Sequence, residues 1–68
     1  MKTVTHYLID GVWQPVPGAT VDKSYNYLIC CQYGDWSGFR SLEACLAQNP
    51  NAGKANPRPN GFYWIERR

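Results

Sequence analysis

The feature that most constrains the fold is an apolar run in the middle of the chain, from Tyr25 to Tyr33. Successive side chains of an extended chain point to opposite faces. Here one face carries three tyrosines with other apolar groups, and Leu28 and Cys30 make part of the other face apolar as well. Because a strand that is apolar on both faces belongs inside a sheet, or between a helix and another partner, this run predicts the central strand.

A β-hairpin is predicted at the start of the chain. Residues 3–9 have a strand pattern, and Asp10-Gly11 follows at once, which is the strongest short signal for a two-residue hairpin turn. The returning strand covers 12–14, with Val16 as its furthest extent. Pro15 cannot donate a ladder hydrogen bond, so this strand is expected to be short and to lie at a sheet edge.

A short helix of two to three turns is expected after the central strand. Leu42, Cys45 and Leu46 recur at helical spacing and form one apolar stripe. Ser41 is the favoured N-cap, and Ser37 is the alternative. Either hydroxyl would accept a hydrogen bond from a backbone N–H that the first helical turn leaves unsatisfied.

The end of the chain predicts a long irregular loop and a last strand. Residues 49–61 contain three prolines, two glycines and four asparagines, which excludes a regular element. Residues 62–66 suit a pleated surface. The predicted fold is a single α+β domain over 1–68, with a three- or four-stranded, mainly antiparallel sheet and one short helix on one face. The last strand pairs either in parallel with the central strand or with the hairpin, in a wholly antiparallel sheet.

The cysteines indicate the compartment. The first ten residues lack the apolar stretch of a secretory signal, so the protein is expected in the cytoplasm, where thiols stay reduced. A single disulfide from Cys45 to either Cys30 or Cys31 is still geometrically possible. No segment approaches the roughly 20 apolar residues of a membrane span, so no membrane partner is expected.

The sequence predicts no catalytic or metal site. Its one histidine, His6, has no carboxylate nearby in sequence, and the alternative is a nucleophilic pair with Cys30 or Cys31, brought together by the fold. The adjacent cysteines lack zinc-ligand spacing, the acids are scattered, and no glycine-rich phosphate loop is present. We therefore expect no enzyme activity, no metal and no cofactor.

Aromatic residues are the distinctive chemistry of the chain. It contains ten of them, and a core sealed by one short helix leaves part of such a set exposed. Tyrosine, tryptophan and arginine dominate binding hot spots. The predicted partner-binding residues are Trp13, Tyr25, Tyr27, Trp36, Arg40, Tyr63, Arg67 and Arg68. The alternative is that the rings fill the core and that the terminal arginines form a solvated tail.

Two kinds of partner fit this surface. One is a protein, which an exposed aromatic face would bind. The other is single-stranded nucleic acid, whose bases would stack on sheet aromatics while the basic C-terminal end neutralises phosphates. The net charge of +2 and pI of about 8.5 are low for a dedicated nucleic-acid binder, so a protein partner is favoured.

In size and general character the chain resembles the small phage-encoded inhibitors of host defence, among them the anti-CRISPR proteins. The likeness rests on a short α+β chain with a hairpin around Leu8–Trp13 and no catalytic set. Those proteins share no common motif, so no residue role is carried over. The resemblance implies an inhibitor in the host cytoplasm that binds a subunit of a bacterial defence complex, such as a CRISPR–Cas complex. The positive net charge departs from acidic DNA mimics and favours steric blockade.

Overall fold

Five strands and one helix follow one another in the computed structural model, which describes residues 2–38, 41–53 and 55–68. In chain order they are β1 (Thr3–Ile9), β2 (Val12–Pro15), β3 (Tyr27–Cys31), β4 (Gly34–Asp35), α1 (Leu42–Leu46) and β5 (Tyr63–Arg67). The small α+β class is therefore confirmed, and strands dominate it. The described residues include no helix that is long and apolar enough to cross a membrane.

The strands form one antiparallel sheet in the order β2-β1-β5-β3-β4. The expected count of three or four strands is too low, because the chain turns back after β3 and adds the short β4. The parallel alternative for the last strand is wrong, since β5 lies antiparallel to both β1 and β3. The central strand is consequently β5, and the apolar run that predicted the centre forms its neighbour β3.

The first hairpin follows the sequence prediction. Asp10 and Gly11 have φ values of 52° and 76°, the left-handed conformation that both positions of a tight hairpin turn require. β2 lies at the edge of the sheet and includes Pro15. The prediction of a short edge strand is therefore confirmed.

β3 is shorter than the predicted run of 25–33, since it covers only 27–31. Its first four residues are buried, which confirms that both faces are covered. Gln32 and Tyr33 form the turn into β4, and Gly34 has a φ of 126°, which glycine adopts readily. Tyr33 therefore belongs to a turn and not to a face of the strand.

A bulge interrupts the pairing of β1 with β5. Val4 pairs with Glu66 and His6 pairs with Ile65, so Thr5 is the extra residue. The Thr5 hydroxyl donates to the Ile65 carbonyl at 3.3 Å, and this satisfies a buried polar group. Thr5 and His6 are both buried as a result.

The helix covers one face of the sheet, which we call the helix face. Ser41 is its N-cap, as favoured, because its hydroxyl accepts a hydrogen bond from the Ala44 N–H at 3.2 Å. α1 has only five residues, fewer than expected. Cys45 is fully buried against Ile29 and Ile65. The Trp13 indole N–H donates to the Gln48 carbonyl at 2.8 Å and joins the end of the helix to the hairpin.

Candidate functional site

Four aromatic rings form a continuous series at one end of the helix face, which we call the aromatic ladder. Its members, in order of contact, are Tyr33, Phe62, Tyr63 and Trp36. The ring centroids are 5.7, 4.9 and 6.1 Å apart along the series, and every pair meets edge to face. Such edge-to-face pairs contribute roughly 0.5–1.5 kcal/mol each beyond the area they bury.

The inner rings of the ladder are buried and the outer rings are exposed. Phe62 and Tyr63 are 6% and 4% exposed, whereas Tyr33 is 85% exposed and Trp36 is 40% exposed. The backbone N–H groups of Trp36 and Ser37 both donate to the Ile29 carbonyl, which fixes the segment after β4 on β3. The outer rings are therefore solvent-facing groups supported by core residues.

Arg58 extends the ladder with a positive charge. Its guanidinium carbon lies 5.0 Å from the Phe62 ring centre, within the range of a cation–π contact. Its backbone N–H donates to the Asn51 side-chain oxygen at 3.2 Å, and the Phe62 N–H donates to the Pro59 carbonyl at 3.0 Å. These bonds order the part of the long loop that carries Arg58.

A polar groove of about 440 Å³ adjoins the ladder at Arg58. We call it the polar groove, and its lining residues are Asp10, Gly11, Asn49, Asn51, Pro57, Arg58 and Asn60. The hairpin turn and the long loop form its walls. The Asp10 N–H donates to the Asn60 side-chain oxygen at 2.9 Å, and the Asn49 amide donates to the Gly11 carbonyl at 3.2 Å. The groove is thus held by hydrogen bonds between segments distant in sequence.

A second cation–π pair joins Arg67 and Tyr25, at 4.3 Å. The Arg67 guanidinium also donates to the Thr20 carbonyl at 2.9 Å and lies 3.4 Å from the Thr3 hydroxyl. Its Nε is buried without a hydrogen-bond partner among the described residues. Arg67 therefore ties the 20–25 connection to the sheet.

Arg68 is part of an ion-pair network with two acids. Its guanidinium lies 2.8 Å from Glu66 and 3.3 Å from Asp35. Burial by itself would raise the pKa of Glu66, but hydrogen bonds from the Trp64 indole and Arg68 outweigh burial and hold that pKa below its usual value. Arg68 is consequently engaged within the fold.

Cys30 lies under this network in an environment that suppresses its reactivity. Its sulfur is 3.8 Å from the Arg68 guanidinium and 3.6 Å from the Asp35 carboxylate. Burial, together with the negative charge of Glu66, raises the pKa of Cys30 to about 12. Since the thiolate is the nucleophilic form, this thiol is a poor nucleophile at neutral pH.

His6 is a buried histidine held by its neighbour in the bulge. Burial lowers the pKa of His6 below 6.5. Its Nδ1 lies 3.0 Å from the Thr5 hydroxyl oxygen. With that hydroxyl assigned as the donor to the Ile65 carbonyl, the hydrogen is assigned to Nδ1, which then donates to Thr5. The residue serves as a structural donor, and the described residues include no metal-binding group of three or more histidine, cysteine or acidic side chains.

The predicted site residues do not form one surface. Tyr27 and Tyr63 are only 1% and 4% exposed, so the expectation that they lie on an exposed aromatic face is wrong. The Tyr27 hydroxyl bonds to the backbone of Asp22, which explains how a tyrosine is buried there. Trp13 is half-buried against the core. The other predicted residues lie in separate places: Tyr25 contacts Arg67, Arg68 belongs to its ion-pair network, and Trp36 belongs to the ladder. Arg40 lies outside the described residues.

Sequence reasoning missed two rings of the ladder, the arginine that covers it, and the groove. Tyr33 was placed on a strand face, and Phe62 and Arg58 were left out of the site. The available signal was Gly34 directly after Tyr33, since glycine at the end of an apolar run supplies the positive φ that tight turns require.

Comparison with known proteins yields no match: no family model, no curated protein and no solved structure is similar to this chain. The candidate site therefore stands on its own geometry.

Proposed function

We propose that this protein is a non-catalytic protein-binding module whose contact surface is the aromatic ladder. The observation that carries the proposal is the position of Tyr33, 85% exposed at a tight turn and in edge-to-face contact with the buried Phe62. Exposing a large ring costs solvation free energy, and a partner that covers it recovers that free energy.

The support beneath the exposed rings strengthens the proposal. Hot-spot residues bind well when their side chains are ordered before the partner arrives, because less conformational entropy is then lost. Tyr33 and Trp36 each contact a buried ring, and Arg58 lies over the same series. Tyrosine, tryptophan and arginine are also the residue types most enriched among hot spots.

The C-terminal arginines are bonded within the fold, and this favours a protein partner over single-stranded nucleic acid. Phosphate neutralisation needs cations that point to solvent. Arg67 is stacked on Tyr25 and bonded to the Thr20 carbonyl, and Arg68 is paired with Glu66 and Asp35. Arg58 is the cation that the described structure places on the ladder itself.

Inhibition is the mechanism that we propose for this binding. The positive net charge departs from the acidic character of DNA mimics and favours steric blockade, with the ladder covering a functional surface of its target. The resemblance to small phage inhibitors extends the proposal to a subunit of a bacterial defence complex in the host cytoplasm. The raised pKa of Cys30 argues against this thiol as a nucleophile.

The test is an affinity capture from bacterial lysate, with and without nuclease treatment, using wild-type protein and the Tyr33→Ala variant. Loss of a hot-spot ring costs at least about 2 kcal/mol, so we expect captured partner to fall by roughly 30-fold or more. The thermal unfolding midpoint should fall only modestly, because an exposed ring buries little area and its edge-to-face pair with Phe62 contributes roughly 0.5–1.5 kcal/mol.

Val12→Ala is the matched control. Val12 is 55% exposed and lies on the opposite face of the sheet, so its truncation should leave capture unchanged. Equal capture by wild type and Tyr33→Ala would contradict the proposal. Recovery of nucleic acid alone, lost on nuclease treatment, would move the function to the nucleic-acid alternative.

A further inference from the structure

We infer that the polar groove is a second part of the same interface and that it binds an extended acidic segment of the partner. The inference rests on the proposed function, because Arg58 belongs to both surfaces: its guanidinium covers a ladder ring and its side chain lines the groove. A partner segment that covers the exposed Tyr33, whose ring contacts Phe62 beneath Arg58, would continue past Arg58 into the groove.

The hydrogen bonds of the groove fix which atoms face a ligand. The Asn51 side-chain oxygen accepts from the Arg58 N–H, and the Asn60 side-chain oxygen accepts from the Asp10 N–H. A backbone N–H can only donate, so each oxygen is assigned and each NH₂ group lies on the other side. Neither NH₂ group has a hydrogen-bond partner within the described part of the chain, so both are available as donors.

Asn49 has a different role. Its side-chain oxygen accepts from the Asn51 N–H and its NH₂ group donates to the Gly11 carbonyl. Both ends of this amide are used within the protein. It therefore orders the groove wall, whereas Asn51 and Asn60 present donors to a ligand.

The balance of groups points to an acidic peptide. Two amide NH₂ groups and the Arg58 guanidinium are donors, which suit the carboxylates and backbone carbonyls of a peptide. The Asp10 carboxylate is the one charged acceptor that lines the groove in the described structure, and it suits a peptide N–H. A peptide backbone can donate N–H groups to Asp10 while its carboxylates bind Arg58, whereas a phosphodiester backbone brings only closely spaced negative charges, has no donor for Asp10 and meets it as a like charge.

The test uses side-chain amide NMR signals of the labelled protein, titrated with end-capped Glu-Gly repeat peptide. Gln-Gly and Lys-Gly repeats and oligothymidylate serve as comparison probes. We expect saturable shifts of the Asn51 and Asn60 NH₂ resonances with the Glu-Gly peptide. The Asn49 resonance, whose group is bonded internally, should move least. Assignments follow from the peak that each Asn→Asp variant loses.

Asn51→Asp and Asn60→Asp are the decisive variants. Each keeps an oxygen to accept the loop N–H and replaces the NH₂ donors with a negatively charged oxygen, so the loop hydrogen bond is preserved while affinity for the Glu-Gly peptide falls by about tenfold, at least the effect of a lost hydrogen bond to a charged group. Gln14→Glu makes the same charge change on the exposed edge strand and should leave affinity unchanged. If Gln14→Glu lowers the affinity for the Glu-Gly peptide as much as the Asn→Asp variants do, the effect comes from charge alone and the inference is overturned.

Two further outcomes would also overturn it: absence of shifts with the Glu-Gly peptide, and oligothymidylate shifting the same resonances in its place. The proposed function fails separately, through the ladder. If Tyr33→Ala abolishes capture while both Asn→Asp variants capture partner at the wild-type level, the protein-binding proposal stands and the groove inference is wrong.

Discussion

At the scale of single residues, the buried thiol of Cys30 should make the protein sensitive to alkali. Its pKa is raised from 9.0 to about 12, so above pH 9 the unfolded chain loses a proton that the folded chain keeps. Stability is therefore complete below pH 9 and declines as pH rises toward 12. We expect the free energy of unfolding in urea to fall more steeply over this window in wild type than in Cys30→Ala.

Other groups also titrate at alkaline pH, so the comparison is between the slopes of unfolding free energy against pH in the variants and in wild type. Cys31→Ala removes the neighbouring, half-buried thiol and is the matched control for side-chain loss. Its pH dependence should follow wild type more closely than that of Cys30→Ala does. Identical slopes in wild type and Cys30→Ala would show that Cys30 ionises equally in the folded and unfolded states.

His6 should produce the opposite dependence on the acid side. Burial lowers its pKa below 6.5, so just below pH 6.5 the imidazole binds a proton in the unfolded chain but stays neutral in the folded chain. Its contribution is complete above pH 6.5 and is lost as pH falls through the lowered folded pKa. Asn at this position keeps a donor for the Thr5 hydroxyl but does not titrate. We expect His6→Asn to lose less thermal stability than wild type between neutral and mildly acidic pH, and equal losses would refute this.

Residue burial was only partly predictable from the sequence. Alternation placed Tyr25, Tyr27 and Tyr33 on one face, but it holds only within a strand, and β3 covers 27–31. Tyr27 lies inside the strand and is buried, while Tyr25 and Tyr33 lie beyond its ends and are exposed. Local pattern shows that a strand exists, whereas its ends depend on partners elsewhere in the chain.

At the scale of elements, the hairpin turn offers a sharp test of backbone conformation. Gly11 has a φ of 76°, and an added Cβ would be only in ordinary contact with Asn49, at 3.7 Å. The cost of Gly11→Ala therefore comes from the left-handed backbone, about 1–2 kcal/mol of unfolding free energy. A urea or thermal unfolding measurement checks this value.

Gly38 provides the control for that substitution. It has no left-handed φ, and an added Cβ would meet nothing within 4 Å among the residues described. Gly38→Ala should therefore be neutral, or stabilise the fold by about 0.4–1 kcal/mol through the unfolded state. Equal destabilisation by both substitutions would show that strain at the turn is not the cause.

The order of the elements could not be read from the sequence, although most of the elements could. The hairpin was predicted because Asp10-Gly11 specifies its turn locally, and the helix N-cap because Ser41 precedes an apolar stripe. The position of β5 depends on Ile65 fitting between Ile29 and His6, three residues that are far apart in sequence. No local sequence pattern indicates such a fit, so the apolar run in the middle of the chain predicts β3 as the centre of the sheet, where the structure has β5.

At the scale of the whole molecule, the candidate site escaped sequence analysis for the same reason. The ladder joins a turn, the segment after β4 and the start of β5, and the groove joins the first hairpin to the long loop. Each contributor is unremarkable in its own segment. The length of the loop at 49–61 was the one whole-molecule hint, because long loops in small domains are often functional.

The two edges of the sheet determine whether the molecule pairs with copies of itself. β4 has only two residues. On β2, the Val16 N–H donates to the Thr5 carbonyl at 2.8 Å, so position 16 faces β1 and position 15 faces outward. Pro15 has no N–H to offer there, and proline on an edge strand is a common defence against edge-to-edge association.

Pro15→Val restores that missing donor with a residue that favours strands. We expect the variant to self-associate more strongly than wild type in sedimentation velocity, since an incoming strand gains a hydrogen bond from the β2 edge. Gln14→Val adds the same side chain at a position whose N–H faces β1, so it separates a new edge donor from added apolar surface. If both variants associate alike, hydrophobicity is responsible, and the proline has no protective role at this edge.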